Sequence, residues 1–264
     1  MRRYAALFQL MVRSTIYKLL AVMAVMGAAQ VGLFAFQAQK IWSHAQVMAD
    51  GVDVTAYYPY GIADVVNNAS LQTVWFWGVI IFCEILVFMA GRGSLYTLDR
   101  LGLSRRGRNL LYSLYHTMAL VVLFAFQAAV AVGLCLFYSK MVDAANVGPQ
   151  TIFLAFYRVP LFHSVLPLGD WFRWLFNLVV LVCLGIATAE GGQIVRNGRR
   201  PVAATVLAAL TGAVSNLGLV GFSGVLGLVM VGMLLFVGGV IGPAMFRRDR
   251  AREEEADDEA ETTA

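Results

Sequence analysis

The sequence predicts an all-α, polytopic integral membrane protein with six transmembrane helices and both termini cytoplasmic. Three observations predict it. Apolar residues make up 59% of the 264 and charged residues only 14%, against about half and a quarter in soluble domains. The apolar residues fall in runs, several of them long enough to cross a bilayer, which takes about 20 residues. The cations gather on one side of the topology that these runs define. Together these exclude a soluble enzyme, a nucleic-acid-binding domain and a disordered chain. The pI near 9.1 comes from cations that mostly flank spans, where topology and anionic lipid explain them better than nucleic acid does.

The elements follow in order. Residues 1–14 place Tyr4, Leu7, Phe8 and Met11 on one side of a helical wheel, with Arg2, Arg3 and Arg13 on the other. Two readings stay open: a short helix lying in the interface, or a basic flank that orients the first span. The first span covers about 15–38. Its apolar run continues to Phe36 without a clear small-x-small site near its end, so it is expected to be retained. The polar stretch 39–70, with Asp50, Gly51, Asp53, Pro59 and Gly61, predicts a substantial loop. The second span, about 71–91, opens with Trp75 and Trp77 at the aromatic-belt level.

The third span is long, about 110–139, and its first two turns are expected to stand in the interface. Arg158, Pro160 and Pro167 interrupt 141–170, which predicts an interfacial helix and a turn there, not a crossing. The fourth span covers about 171–190. The fifth, about 201–218, starts at Pro201, a good first-turn residue, and the sixth, about 222–245, follows after a tight turn. A membrane domain thus covers 1–245. The tail 246–264 carries four Arg and eight Asp or Glu and is expected to be disordered and cytoplasmic.

Charge tests this topology. Six spans place sixteen of the twenty Lys and Arg on the side of the termini, and leave only Lys40, Lys140, Arg158 and Arg173 on the other. A seventh span at 150–168 would move the 191–200 loop and the tail outside and destroy that bias.

Few residues inside the spans carry chemistry. Glu84 lies mid-span in Ile80-Ile81-Phe82-Cys83-Glu84-Ile85-Leu86. A carboxylate at that depth is unfavourable unless paired or hydrated, so it is expected to face the bundle or a water-filled cavity, either on a translocation path or in an interhelical contact. Gln127 and Asn177 are amides that usually bond between helices, and Gln127 is a candidate partner for Glu84 on that path. Cys83, Cys135 and Cys183 lack metal-ligand spacing and read as small packing residues. The last two spans are rich in glycine, with a GxxxG pair at Gly238 and Gly242, which predicts close packing or a dimer face. No phosphate loop, HExxH or GxSxG is present. The expectation is therefore no catalytic residue, no metal and no cofactor: not an enzyme, and no ATP hydrolysis by this chain alone.

The 91–109 segment is the most informative. Ser94 is a candidate N-cap, and Leu95, Leu98 and Leu101 follow at helical spacing until Gly102. A loop needing only to be cytoplasmic has no use for an apolar stripe, whereas a soluble partner docks on one. The layout resembles that of ATP-binding cassette exporter permeases of the type-2 class, which typically have an interfacial N-terminal helix and six spans, and the run Tyr96-Thr97-Leu98-Asp99-Arg100-Leu101-Gly102-Leu103-Ser104-Arg105-Arg106 resembles their coupling-helix region. The resemblance spans the whole chain as topology and about a dozen residues as motif. It implies a permease subunit working with a separate ATP-binding cassette ATPase, with Leu95, Leu98, Arg100, Leu101 and Leu103 at the coupling contact. It also implies a homo- or heterodimer of membrane subunits. The compact form and the lack of any organelle address point to a bacterial cytoplasmic membrane. The chain departs from many such permeases by its tight turn between the last two spans, its outer elements lying at 39–70 and 141–170 instead. The alternative reading is a non-transport membrane scaffold or assembly factor.

Overall fold

The computed structural model describes residues 2–47, 62–91, 105–141, 149–196, 198, 206 and 223–238. Within them every regular element is a helix. These are α1 (Arg2–Val47), α2 (Ile62–Asn68), α3 (Leu71–Gly91), α4 (Arg105–Met141), α5 (Pro149–Arg158), α6 (Pro160–Val165), α7 (Trp171–Arg196) and α8 (Ser223–Phe236). Four of them, α1, α3, α4 and α7, are long and apolar enough to cross a membrane, and a shorter apolar helix covers Gly227–Phe236. Apart from Val206, the expected fifth span lies outside the described residues, as do the tail and the 92–104 segment.

Within their apolar windows the four long helices are hydrophobic on all sides, as helices suited to cross a membrane are. Large side chains such as Tyr17, Val25, Phe36 and Leu110 are exposed on their outer faces. At 1.5 Å per residue, the 21 residues of α3 span about 31 Å, the thickness of a hydrocarbon core. The 46 residues of α1 reach about 69 Å, more than twice the thickness of a hydrocarbon core. α1 runs without a break through residue 15, so residues 2–14 continue the first span and do not form a separate element.

Contacts give the directions. Phe8 packs edge-on against Tyr115 at 5.7 Å, and Phe34 against Phe137 at 6.3 Å, so α1 and α4 run parallel. Lys18 meets Met89, and Gly78 faces Met26, so α3 runs antiparallel to α1. Gly185 faces Thr117, Gln193 meets Asn109, and Gly192 faces Ala90. Thus α7 is antiparallel to α4 and parallel to α3. The start of α1, the end of α3, the start of α4 and the end of α7 share one end of the bundle, here called the basic end. α7 is the central helix: it packs on α3, α4 and α8, while α1 closes the other side of α3 and α4. From Cys183 to Gly192, only Ile186 escapes full burial.

At the opposite end, α2, α5 and α6 pack around the ends of α1 and α4. Pro160 starts α6 and ends any continuation of α5. Gly169 takes a positive φ of 85°, and the Asp170 carboxylate then accepts from Arg173 N at 3.2 Å, capping α7. The described residues of 149–170 therefore form two short helices and a turn, where the sequence predicted one helix and a turn, because Pro160 splits the helical stretch.

Candidate functional site

Glu84 lies on the outer face of the bundle, not in its interior. It lines a laterally open groove of about 350 Å³ between α1 and α3, with Lys18 from α1 and Trp77, Ile81, Phe88 and Met89 from α3. Glu84 is half-buried. Trp77, Ile81 and Phe88 are 56%, 49% and 53% exposed and face outward with it. Lys18 Nζ donates to Met89 Sδ at 2.9 Å, at the basic-end rim of the groove.

Gln127 does not join this site. It is 1% exposed inside the bundle, and its Oε1 has no hydrogen-bond partner among the described residues. Gln30 on α1 is fully buried, and neither of its side-chain polar atoms has a partner among the described residues. The two amides do not pair either. Gly27 faces Phe126 and Val130 while Phe34 meets Phe137, which sets Gln30 beyond Gln127 along the bundle. The candidate translocation path of Glu84 with Gln127 is therefore not a single constellation here: helix phase turns one outward and the other inward. Leu95, Leu98, Arg100, Leu101 and Leu103 lie outside the described residues.

Two polar clusters were not legible as sites. At the basic end, α3, α4 and α7 are clasped together. Arg196 Nη2 donates to Ala90 O at 2.5 Å, and its guanidinium lies 5.7 Å from the Tyr112 ring centroid. Gln193 Nε2 donates to Asn109 Oδ1 at 2.5 Å. One to two turns deeper, His116 Nδ1 lies 3.0 Å from Thr188 Oγ1, whose hydroxyl hydrogen goes to Leu184 O at 2.8 Å. That leaves His116 as the donor, as an Nδ1–H tautomer assigned from hydrogen-bond logic. Tyr115 and Thr15 share a short hydrogen bond that ties α1 in. Glu190 is the one carboxylate among the buried described residues. The sequence reading ends the fourth span at about residue 190. The overlooked signal is the small-residue run Ala187-Thr188-Ala189-Glu190-Gly191-Gly192 leading on to Ile194 and Val195, which keeps α7 packed to Arg196.

At the opposite end, Arg173 is 2% exposed and His163 4%. Asn177 Nδ2 donates to Ser164 O at 2.9 Å, holding α6 against α7. The spacing of Arg173 and Asn177, one turn apart on the same helix face, was the available signal. Burial holds the His163 imidazole below its ordinary pKa of 6.5, and the Arg173 charge adds to this, while Asp170 and the Phe156 backbone pull the other way. The sign follows from linkage. Unfolded His163 takes up a proton near 6.5 and folded His163 only at lower pH, so stability is lost as pH falls below the unfolded value. Melting of the detergent-solubilised protein between pH 8 and pH 5 checks this. The wild type is expected to lose stability on acidification relative to His163→Gln, and parallel pH profiles would refute the assignment.

Among the described residues no group of three or more His, Cys, Asp or Glu is placed to hold a metal ion. No protein-family model, no curated protein and no solved structure matches this chain.

Proposed function

We propose that this chain is the membrane-spanning permease subunit of an ATP-driven exporter, coupled to a separate nucleotide-binding subunit through the 94–103 segment. The multi-pass helical architecture is compatible with a membrane subunit of this kind. One observation carries the coupling part of the reading. The two helices that bracket the segment, α3 ending at Gly91 and α4 starting at Arg105, are both fastened to the end of central α7. Arg196 holds the end of α3 and Gln193 holds the start of α4. A displacement imposed on the segment between them passes straight into three spans, which is what a transmission element requires. The basic end would face the cytoplasm by the positive-inside rule, placing the segment where a soluble ATPase meets it. The membrane would be a bacterial cytoplasmic membrane, and two such subunits would make the functional pore.

The rival reading, a non-transport scaffold or assembly factor, explains the spans equally well but gives the clasp nothing to transmit. Mild-detergent recovery of tagged protein from its own host separates the two. The expected result is a stoichiometric cassette-type ATPase subunit, reduced by about tenfold or more with Leu98→Glu or Leu101→Glu, an effect of more than about 1.4 kcal/mol on the contact. Membrane insertion of both variants should be normal. Recovery of this chain alone, or with an unrelated complex, would favour the scaffold.

A further inference from the structure

α5 is apolar on two faces. Ala155 and Phe156, with Val159 just after them, are buried against the protein. Phe153, Leu154 and Tyr157 are 57%, 41% and 58% exposed, and Arg158 is exposed beside them. Residues 153 and 157, and 154 and 158, stand one turn apart, so the four make one outward face. A helix on a water-facing surface turns its polar side outward. α5 turns two aromatics and a leucine outward, and such a face calls for a neighbour other than water.

Contacts place that face at the edge of the hydrocarbon. α7 runs parallel to α3 with Gly192 against Ala90, so their equal rise brings Trp171 level with the start of α3. Trp171 and Trp174 are exposed there, as in an aromatic belt. Asn177, under two turns further along α7, donates to Ser164 O of α6 at 2.9 Å. Tyr157 meets the adjacent His163 edge-on at 5.9 Å, and Phe156 meets Phe162 at 5.5 Å. α5 is thus held beside the first two turns of α7, at the depth of the two tryptophans. Its backbone suits that depth. At the junction with α6, Val159 N donates to Ala155 O at 3.0 Å and His163 N to Val159 O at 2.9 Å. Pro160 between them has no N–H to satisfy.

We infer that α5 is a phospholipid-binding helix in the leaflet opposite the basic end. Phe153, Leu154 and Tyr157 lie among the first acyl carbons, and Arg158 bonds the headgroup phosphate, which its planar guanidinium matches with two parallel N–H groups. The sequence predicts only a helix somewhere in the interface. The contacts add its depth, its lipid face and its headgroup residue. One arginine at the membrane surface favours an anionic lipid by about fivefold. The inference needs the multi-pass architecture and not the permease reading.

The test uses the full chain in bilayers of phosphatidylcholine and phosphatidylglycerol. Cys83, Cys135 and Cys183 are buried, so a nitroxide label goes to an introduced cysteine. Phe153→Cys, Leu154→Cys and Tyr157→Cys replace exposed side chains, and Leu178→Cys, exposed about two turns along α7 from Trp171, supplies the deeper reference. The three α5 labels are expected to collide more with oxygen than with a water-soluble nickel chelate, at a depth shallower than residue 178. Dominant collision with the chelate would overturn the inference, because the face would then stand in water. Weak collision with both would overturn it too, because a second copy or another protein would then cover the face. A bimane fluorophore on Leu154→Cys tests the headgroup contact, with doxyl-labelled phosphatidylglycerol and phosphatidylcholine as quenchers. The preference for phosphatidylglycerol is expected to fall about fivefold with Arg158→Gln and to survive with Arg158→Lys. An unchanged preference in Arg158→Gln would remove Arg158 as the phosphate ligand. None of these readouts depends on whether an ATPase subunit co-purifies.

Discussion

Gly185→Ala is expected to lower the thermal stability of the solubilised protein strongly, while Gly133→Ala leaves it unchanged or raises it. Both glycines lie inside long helices, where replacing Gly by Ala gains up to about 1 kcal/mol of helix propensity. Their surroundings decide the sign. A Cβ on Gly133 meets nothing within 4 Å. A Cβ on Gly185 would overlap the Thr117 side chain and lie 2.9 Å from the Thr117 backbone nitrogen. A side chain can rotate away, but a helix backbone cannot, so α7 and α4 must separate. Overpacking of this kind costs about 1–3 kcal/mol. The displacement should also break the His116–Thr188 contact, since Thr188 lies one turn further along α7. Melting curves of the two variants beside the wild type measure the effect. Equal melting temperatures for Gly185→Ala and Gly133→Ala would show that the helices are not packed this closely.

This example also marks what a sequence can and cannot reveal in a membrane protein. The second apolar run, read as about 71–91 because polar stretches bound it, coincides with the helix at Leu71–Gly91. The first, third and fourth runs outlast their apolar windows. Once a helix is nucleated and packed, its hydrogen-bond ladder continues through polar turns, as α1 does to Val47 and α7 does past Glu190 to Arg196. Hydropathy reports the solvent around a helix, not the helix's end. The glycines of the last two spans stood out by count, yet the close approaches in the described bundle belong to Gly27, Gly78, Gly91, Gly185 and Gly192 on α1, α3 and α7. Spacing alone could not identify those, because which helix faces which is a tertiary fact. The same limit explains Glu84 and Gln127. Depth could be read from position, but phase about the bundle axis could not, and phase decides that one lines an outer groove and the other is enclosed.

Arg196→Met is the second large effect expected, and it bears on function as well as stability. Ala90 O lies in the last turn of α3, where helix carbonyls take partners from outside the helix. Arg196 supplies one from α7 at 2.5 Å and lays its guanidinium by Tyr112 of α4 at 5.7 Å. A cation at a helix C-terminus is also favoured by the helix dipole. A charge-assisted hydrogen bond contributes about 1.5–3 kcal/mol, and a cation–π contact at a partly exposed site somewhat less. Arg196 is only half-buried, so a loss of about 2 kcal/mol is expected for Arg196→Met. Arg196→Lys should recover part of this, because a lysine keeps the charge but lacks the planar fork that serves two partners at once. The functional consequence separates the clasp from a mere staple. If α3 and α4 drive α7 through this joint, Arg196→Met should still recover the ATPase subunit, since the 94–103 segment is untouched, but substrate-coupled ATP hydrolysis should fall several-fold more than the loss of folded protein accounts for. A variant that melts early yet couples normally per folded molecule would reduce Arg196 to a structural role and remove the main support for transmission through the basic end. A variant that loses coupling while the ATPase stays bound would place the working joint of the machine between Ala90, Tyr112 and Arg196.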